Sequence, residues 1–315
     1  MSHRTPEQRY IADLTRAWAT GHAGPVRPPA DLDPERFLRI IARQPAMQTL
    51  ASGIATEALP DGERVRMAQA LEVARRRSVM MLLELERILP ALAEAGLRPV
   101  VLKGASLALT VYDRPQDRWF VDLDLLVEPD RLAVAYDVLA RLGYRFSESA
   151  AAGELYDRYH FHRILMSNQG VCVEVHWALT LPASVYMHDV DATRRAAVEI
   201  PLGEASFLAP GAVDQILHGV LQSIADGYSD LRRPLDLHLL DARLDDGERE
   251  LLCARAGAAN LATGLWLQYH LREELLGAPV PEFVSLFCLP ERGLDRVVSR
   301  LDVAGGCIVQ RAHHN

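Results

Sequence analysis

Val121-Asp122-Leu123-Asp124-Leu125-Leu126-Val127 sets two carboxylates two residues apart inside an aliphatic run. Along a strand, residues i and i+2 share a face. The spacing therefore predicts a strand with Asp122 and Asp124 on one side and Val121, Leu123, Leu125 and Val127 against a core. Adjacent carboxylates with no basic residue between them repel unless a cation or water satisfies them, and a divalent metal is the economical solution. Two other pairs with this spacing act as controls. Asp31/Asp33 is explained by helix capping before Pro34, and Asp189/Asp191 lies in a polar connector; only Asp122/Asp124 is embedded in an aliphatic run.

The flanking segments extend the pattern. Pro99-Val100-Val101-Leu102 is β-prone and is broken by Lys103-Gly104 before a small helix, Ala105 to Val111. At such a junction the glycine lets backbone approach a ligand and the helix offers free N–H groups to phosphate. Lys103 adds a point charge and Ser106 a hydroxyl. Arg118, four residues before Asp122, is a candidate phosphate clamp, or else a salt-bridge partner of Asp117 or Glu128. Tyr159 to Met166 and Val171 to Trp177 read as strands joined by the turn Ser167-Asn168-Gln169-Gly170. On the second of these Glu174 shares a face with Cys172 and His176, which makes Glu174 a candidate third metal ligand and His176 a nearby phosphate or base contact. His160 and His162 share a face on the preceding strand and are candidate pocket lining. Arg232, Asp236 and His238 could line a cleft or simply pair along a helix.

Working outward, helical patterns dominate both ends. Thr5-Pro6-Glu7-Gln8 and Asp33-Pro34-Glu35 carry cap and first-turn signals. A long helix is expected from about Asp61 to Leu89, stopped or kinked by Pro90, with a last helical piece to Ala95 before Gly96. Pro129 to Leu142 has helical spacing and ends at Gly143. A small hairpin is expected over Ala196 to Leu208, turning at Pro201 to Glu204. Helices are expected again from Gly211 through Leu276 and around Arg292 to Val303, with a loose end at Gly305 to Asn315. The expected organisation is an N-terminal helical region over 1–96, an α/β core over 97–209 and a C-terminal helical domain over 210–315, an α+β protein overall.

Composition narrows the function classes. The chain has 315 residues, 49% of them hydrophobic and 24% charged, enough to bury a substantial core. A formal charge of −8 disfavours bulk nucleic acid binding, and Arg75-Arg76-Arg77 is the nearest thing to a basic stripe. Cys172, Cys253, Cys288 and Cys307 form no C-x-x-C pair, which argues against a zinc ribbon or disulfide framework and fits a reducing compartment. No secretory leader or membrane span is evident, so a cytoplasmic location is expected.

Taken together, Val101-Leu102-Lys103-Gly104, Arg118, Asp122 to Val127, Leu142-Gly143-Tyr144 and Val173-Glu174-Val175-His176-Trp177 resemble the uncharacterised nucleotidyltransferase family of the polymerase-beta-like superfamily, over about Leu92 to Leu179. The resemblance implies a small mixed sheet backed by helices. It also implies that Asp122, Asp124 and Glu174 hold magnesium, with manganese an alternative, and that Lys103 and Gly104 occupy the turn that meets the nucleotide phosphates. The superfamily's usual Gly-Ser at this turn is replaced by Lys103-Gly104-Ala105-Ser106. The implied reaction moves a nucleoside monophosphate from a nucleoside triphosphate to an acceptor hydroxyl and releases pyrophosphate. Two magnesium ions assist, Lys103 and Arg118 offset charge on the leaving group, and Glu174 is able to take the acceptor's proton. The acceptor is open: a small molecule, a peptide or protein, or an RNA end. Alternatives are a catalytically silent nucleotide- or partner-binding protein and a toxin-like enzyme modifying transfer RNA. Glu174 pointing away from the aspartate couple, or a lysine amine filling the space between them, would end the case for chemistry at that spot.

Overall fold

The computed structural model describes residues 4–22 and 24–286. Cys288, Cys307, the expected helix at Arg292 to Val303 and the tail from Gly305 lie outside the described residues.

The helical signals at the start hold. Thr5 caps α1 (Pro6–Ala19) in a reciprocal capping box with Gln8, and Asp33 caps α2 (Pro34–Ile41) by accepting from the Arg36 amide. A single turn, α3 (Met47–Leu50), follows. The long helix α4 (Asp61–Glu94) continues past Pro90 rather than stopping there. Proline removes one backbone bond there, but Ile88, Leu89 and Leu92 around it are buried in the core beneath the sheet, and that burial outweighs the loss. Gly96 then takes the left-handed conformation (φ +72) as expected.

Next come β1 (Val100–Leu102), α5 (Lys103–Thr110), β2 (Asp122–Leu126), α6 (Leu132–Arg141) and β3 (Tyr144–Phe146). α7 (Ala150–Tyr159), β4 (His162–Ser167), β5 (Cys172–His176), α8 (Val190–Arg195) and the hairpin β6 (Val198–Leu202) and β7 (Ala205–Ala209) follow. The strand expected from Tyr159 begins only at His162, because α7 occupies the chain up to Tyr159. Neither β3 nor α7 was legible. A three-residue strand shows no period, and Gly153 weakens the helical signal. A Cβ at that glycine would lie 2.6 Å from Arg163 Nη2, so a larger residue would have to displace the end of that arginine. The chain continues through α9 (Ala212–Ala225), α10 (Arg232–Asp241), α11 (Asp246–Ala258) and α12 (Ala262–Leu276). Among the described residues no helix is long and apolar enough to cross a membrane.

The strands form one mixed seven-stranded sheet, ordered β3-β4-β5-β2-β1-β7-β6, and the fold is α+β. β2 runs parallel to β5 and β1 parallel to β7; the other neighbours are antiparallel. One face of the central strands, carrying Val101, Leu123, Leu125, Leu165, Val173 and Val175, packs with Leu85, Ile88, Val138 and Leu139 from the helices. The opposite face carries the acidic residues, beside a small apolar patch of Val100, Leu102, Leu126 and Leu179.

The chain divides into two compact units, each discontinuous in sequence. The sheet unit takes Glu72–Gly219 and Leu239–Leu261. The second half of α4 joins the sheet unit because Leu85, Ile88 and Leu92 pack in the core with the strands, and the 239–261 segment joins it through Arg243 on the Thr110 and Val111 carbonyls and Arg255 on Asp214. The other unit takes the described residues of Met1–Leu71, Val220–His238 and Ala262–Asn315, around a core including Tyr10, Leu14, Phe37, Ile41, Leu50 and Leu235. In that unit Arg232 pairs with Asp230 at 2.6 Å, and His238 Nε2 lies 3.1 Å from the Ala19 carbonyl.

Within the sheet unit a buried polar network ties α9, α11 and α8 together. Arg255 forks onto both Asp214 oxygens (2.6 and 2.8 Å), the Thr193 hydroxyl donates to Oδ1 at 2.5 Å, and His188 lies 2.9 Å from that hydroxyl. Burial alone would raise the Asp214 pKa, but the hydrogen bonds from His188, Arg255 and Thr193 outweigh it and bring it to about 2. A carboxyl lowered on folding stabilises the native state above its unfolded value near 4, and that contribution fades as pH falls toward 2. Asp214→Asn is therefore expected to cost roughly 2 kcal/mol at pH 7, and the gap to the parent should shrink progressively below pH 4 in urea titrations. A gap constant over pH 2 to 7 would refute this account.

Candidate active site

The register of the sheet brings the acids together. β2 and β5 pair in parallel with Asp122 opposite Cys172 and Asp124 opposite Glu174, so all four side chains leave the same face. Ligand oxygens of Asp122, Asp124 and Glu174 lie within 4.8 Å of one another. Asp124 is fully enclosed, and its Oδ2 is buried without a hydrogen-bond partner. An orphaned, inward-facing carboxylate oxygen beside two further carboxylates is a donor set suited to a hard divalent cation.

The other edge of the cluster is already occupied. Leu102 pairs with Asp124, which carries Lys103 over the carboxylates. Lys103 Nζ lies 2.5 Å from Asp124 Oδ1 and 3.2 Å from Glu174 Oε2, so a lysine amine does stand between these two acids, against the expectation of a space left to metal alone; it leaves Asp124 Oδ2 unpartnered. Glu174 is not turned away. Burial pulls the Lys103 pKa down, but the Asp124, Glu174 and Asp122 charges more than reverse this and hold the amine protonated. Lys103 is also the only lysine among 34 basic side chains, the other 33 being arginine. Its ammonium is a compact point charge with three donors, which can face both carboxylates at once. Its backbone adopts φ +49, an unusual conformation for a non-glycine residue and a mark of local strain.

Beneath the amine, His176 Nε2 lies 2.9 Å from Asp124 Oδ1 and 3.2 Å from Glu174 Oε2. Burial and Lys103 lower the His176 pKa, yet the hydrogen bonds to both carboxylates prevail and raise it. Glu174 responds in the opposite sense. Burial would raise it, but the His176 hydrogen bond and the Lys103 charge hold it far below the usual carboxylate range. A carboxylate held that low is a firm ligand and a weak base. Cys172, on the same face, is pushed up to about 12 by burial and the surrounding acids, so its thiol is inert.

The phosphate-side candidates are arranged less openly. A Cβ on Gly104 would sit 2.3 Å from Phe120 Cβ, so glycine is there for close packing of α5 on the segment entering β2. Gly104→Ala is expected to cost about 1–3 kcal/mol, read as a lower thermal midpoint; an unchanged midpoint would contradict this packing. Ser106 is buried on α5 with its hydroxyl unpartnered. Arg118 is enclosed rather than displayed at the strand mouth, with Nη1 donating to the Trp119 carbonyl at 2.5 Å. Asp117 pairs with Arg114 and Arg75. Arg76 pairs with Glu72 within α4, while Arg75 reaches Asp117 and Arg77 donates to the Gly170 carbonyl in the β4–β5 turn, so the arginine run makes contacts within this chain.

The reading of the residues undervalued His162. It lies directly opposite His176 in the β4–β5 pairing, with ring centroids 4.9 Å apart. Burial, then the neighbouring His176, lower its pKa to about 4, so the ring is neutral. The period-2 face shared with His160 carried part of this signal, but the cross-strand register that supplies His176 is not a local property.

A family model described as uncharacterised nucleotidyltransferase matches residues 30–277. No curated protein matches the sequence. Among solved structures, a solution structure of the antibiotic-resistance factor ANT(2'')-Ia aligns with TM-score 0.43 and 15% identity, over 62% of this chain and 99% of the other. A crystal structure of ANT(2'')-Ia in complex with adenylyl-2''-tobramycin aligns with TM-score 0.42 and 14% identity, over 57% and 98%. Likeness of that degree carries no chemistry across.

Proposed function

The chain belongs to the uncharacterised nucleotidyltransferase family and is a transferase; from that premise we propose that it moves a nucleoside monophosphate from a nucleoside triphosphate to an acceptor hydroxyl. The observation that supports this best is the convergence of Asp122, Asp124 and Glu174 from adjacent strands, with one buried oxygen of Asp124 left unpartnered. These three would hold magnesium, as two ions, with manganese a substitute. Bound there, the metal supplies Lewis-acid stabilisation of charge on the phosphoryl oxygens.

The chain's own groups have separate tasks. The acceptor oxygen forms a bond to the α-phosphorus, the bond to the bridging α–β oxygen breaks, and pyrophosphate leaves with that electron pair. Glu174, held ionised, acts as a ligand, and the acceptor's proton leaves to water. His176 fixes the inner oxygens of Asp124 and Glu174 through Nε2, so that Asp124 Oδ2 faces the reacting centre. Lys103 neutralises the acids at rest and, as metal and nucleotide enter, turns its ammonium to the departing pyrophosphate. The Lys103-Gly104 turn and the first amides of α5 receive phosphate oxygens. Arg118 stiffens the entry to β2 rather than touching nucleotide. The acidic total favours a small or peptide acceptor over a nucleic acid.

Incubating the chain with each of four α-labelled triphosphates and magnesium, with and without cell extract, tests this reading. Label passing to an acceptor with stoichiometric pyrophosphate is the expected result. Absence of both under every condition would sink it.

A further inference from the structure

A second set of ligating side chains meets on the acidic face of the sheet. Directly opposed residues of an antiparallel pair project to one side, and His162 is opposed to His176. Glu174, two residues before His176 on the same strand, projects there too. Ligand atoms of His162, Glu174 and His176 lie within 4.8 Å of one another. The Nδ1 atoms of both imidazoles are buried without a hydrogen-bond partner, so neither ring is anchored elsewhere through that nitrogen. His176 Nε2 stands 3.2 Å from Glu174 Oε2. That is close to the edge of a tetrahedron about an ion whose bonds are about 2.0–2.1 Å, roughly 3.3 Å.

We propose that His162, Glu174 and His176 form a binding site for a borderline divalent ion such as Zn2+. Two imidazoles and a carboxylate select zinc or cobalt over magnesium, which prefers oxygen and keeps its waters. His176 Nε2 exchanges its proton for the ion, and Lys103 gives up its contact with Glu174 Oε2. Glu174 belongs to this set and to the all-oxygen set with Asp122 and Asp124, so an ion held by the histidines withdraws it from the other. Zinc therefore inhibits nucleotide transfer. The inhibition rests on the function proposed above; the binding does not.

Titration of the full chain with Co2+, followed by visible absorption, reads the site without any substrate. One equivalent should bind with the intense bands of a four- or five-coordinate ion and be displaced by Zn2+. Affinity should weaken about tenfold or more in both His162→Ala and His162→Asn, each checked for native circular dichroism. Absence of the bands overturns the proposal, as does unchanged affinity in a folded His162 variant or a thiolate charge-transfer band lost in Cys172→Ser. His162-dependent Co2+ binding in a chain that never transfers nucleotide upholds the site and removes only the inhibition. Magnesium-dependent transfer without His162-dependent binding sinks the site alone.

Discussion

Asp122→Asn is expected to lower nucleotide transfer by about 10²–10³-fold while leaving the thermal midpoint within roughly 2 °C of the parent. Asp122 stands half-buried at the start of β2, at the outer end of the acidic row. Its loss removes an oxygen ligand without opening a core. Asp124→Asn should remove transfer as completely, but by a different balance of effects. Asp124 is fully enclosed and faces both Lys103 and His176. Neutralising it leaves a buried ammonium with one carboxylate fewer, a change of about 3–5 kcal/mol. Paired assays of turnover and urea stability on the two variants separate ligand from counter-ion. Equal stability losses, or undiminished turnover in Asp122→Asn, would refute the division of roles.

The second large effect concerns the amine. Lys103→Met removes the positive charge that Asp124 and Glu174 share. In chelator the variant should lose about 3–5 kcal/mol of stability. Millimolar magnesium should then restore much of that loss, because binding to the native state alone stabilises it by mass action. The parent should respond far less to magnesium without nucleotide, since its own ammonium already balances the acids. A variant destabilised equally with and without magnesium would mean that the carboxylates accept an amine but not a metal. Turnover by Lys103→Met should fall even where stability recovers, because no charge remains to meet pyrophosphate.

Much of this centre could be read before any coordinates. The alternation around Asp122 and Asp124 fixed which side chains face the core, and Leu123 and Leu125 do lie there. The Ser167 to Gly170 turn and the 196–208 hairpin were equally visible, since both are local signals. What stayed hidden depends on contacts between distant segments. The pairing of Asp124 with Glu174 needs the parallel β2–β5 register across about fifty residues. The reach of Lys103 into the acids needs the antiparallel β1–β2 register and a positive φ that no residue type announces. Pro90 was read as a stop or a kink because local propensity favours one; the helix continues past it, with its neighbours buried. Arg118 was read as a phosphate clamp or a salt-bridge partner at the strand mouth, and its enclosure follows from packing that no local signal carries.

A chain with a single lysine offers a spectroscopic handle that arginine-only neighbours cannot blur. Reductive methylation with 13C-formaldehyde would tag that side chain and the α-amine, giving two resolvable NMR resonances in a protein of this size. The shift and linewidth of the first would follow the departure of one ammonium from its carboxylates as magnesium and nucleotide are added.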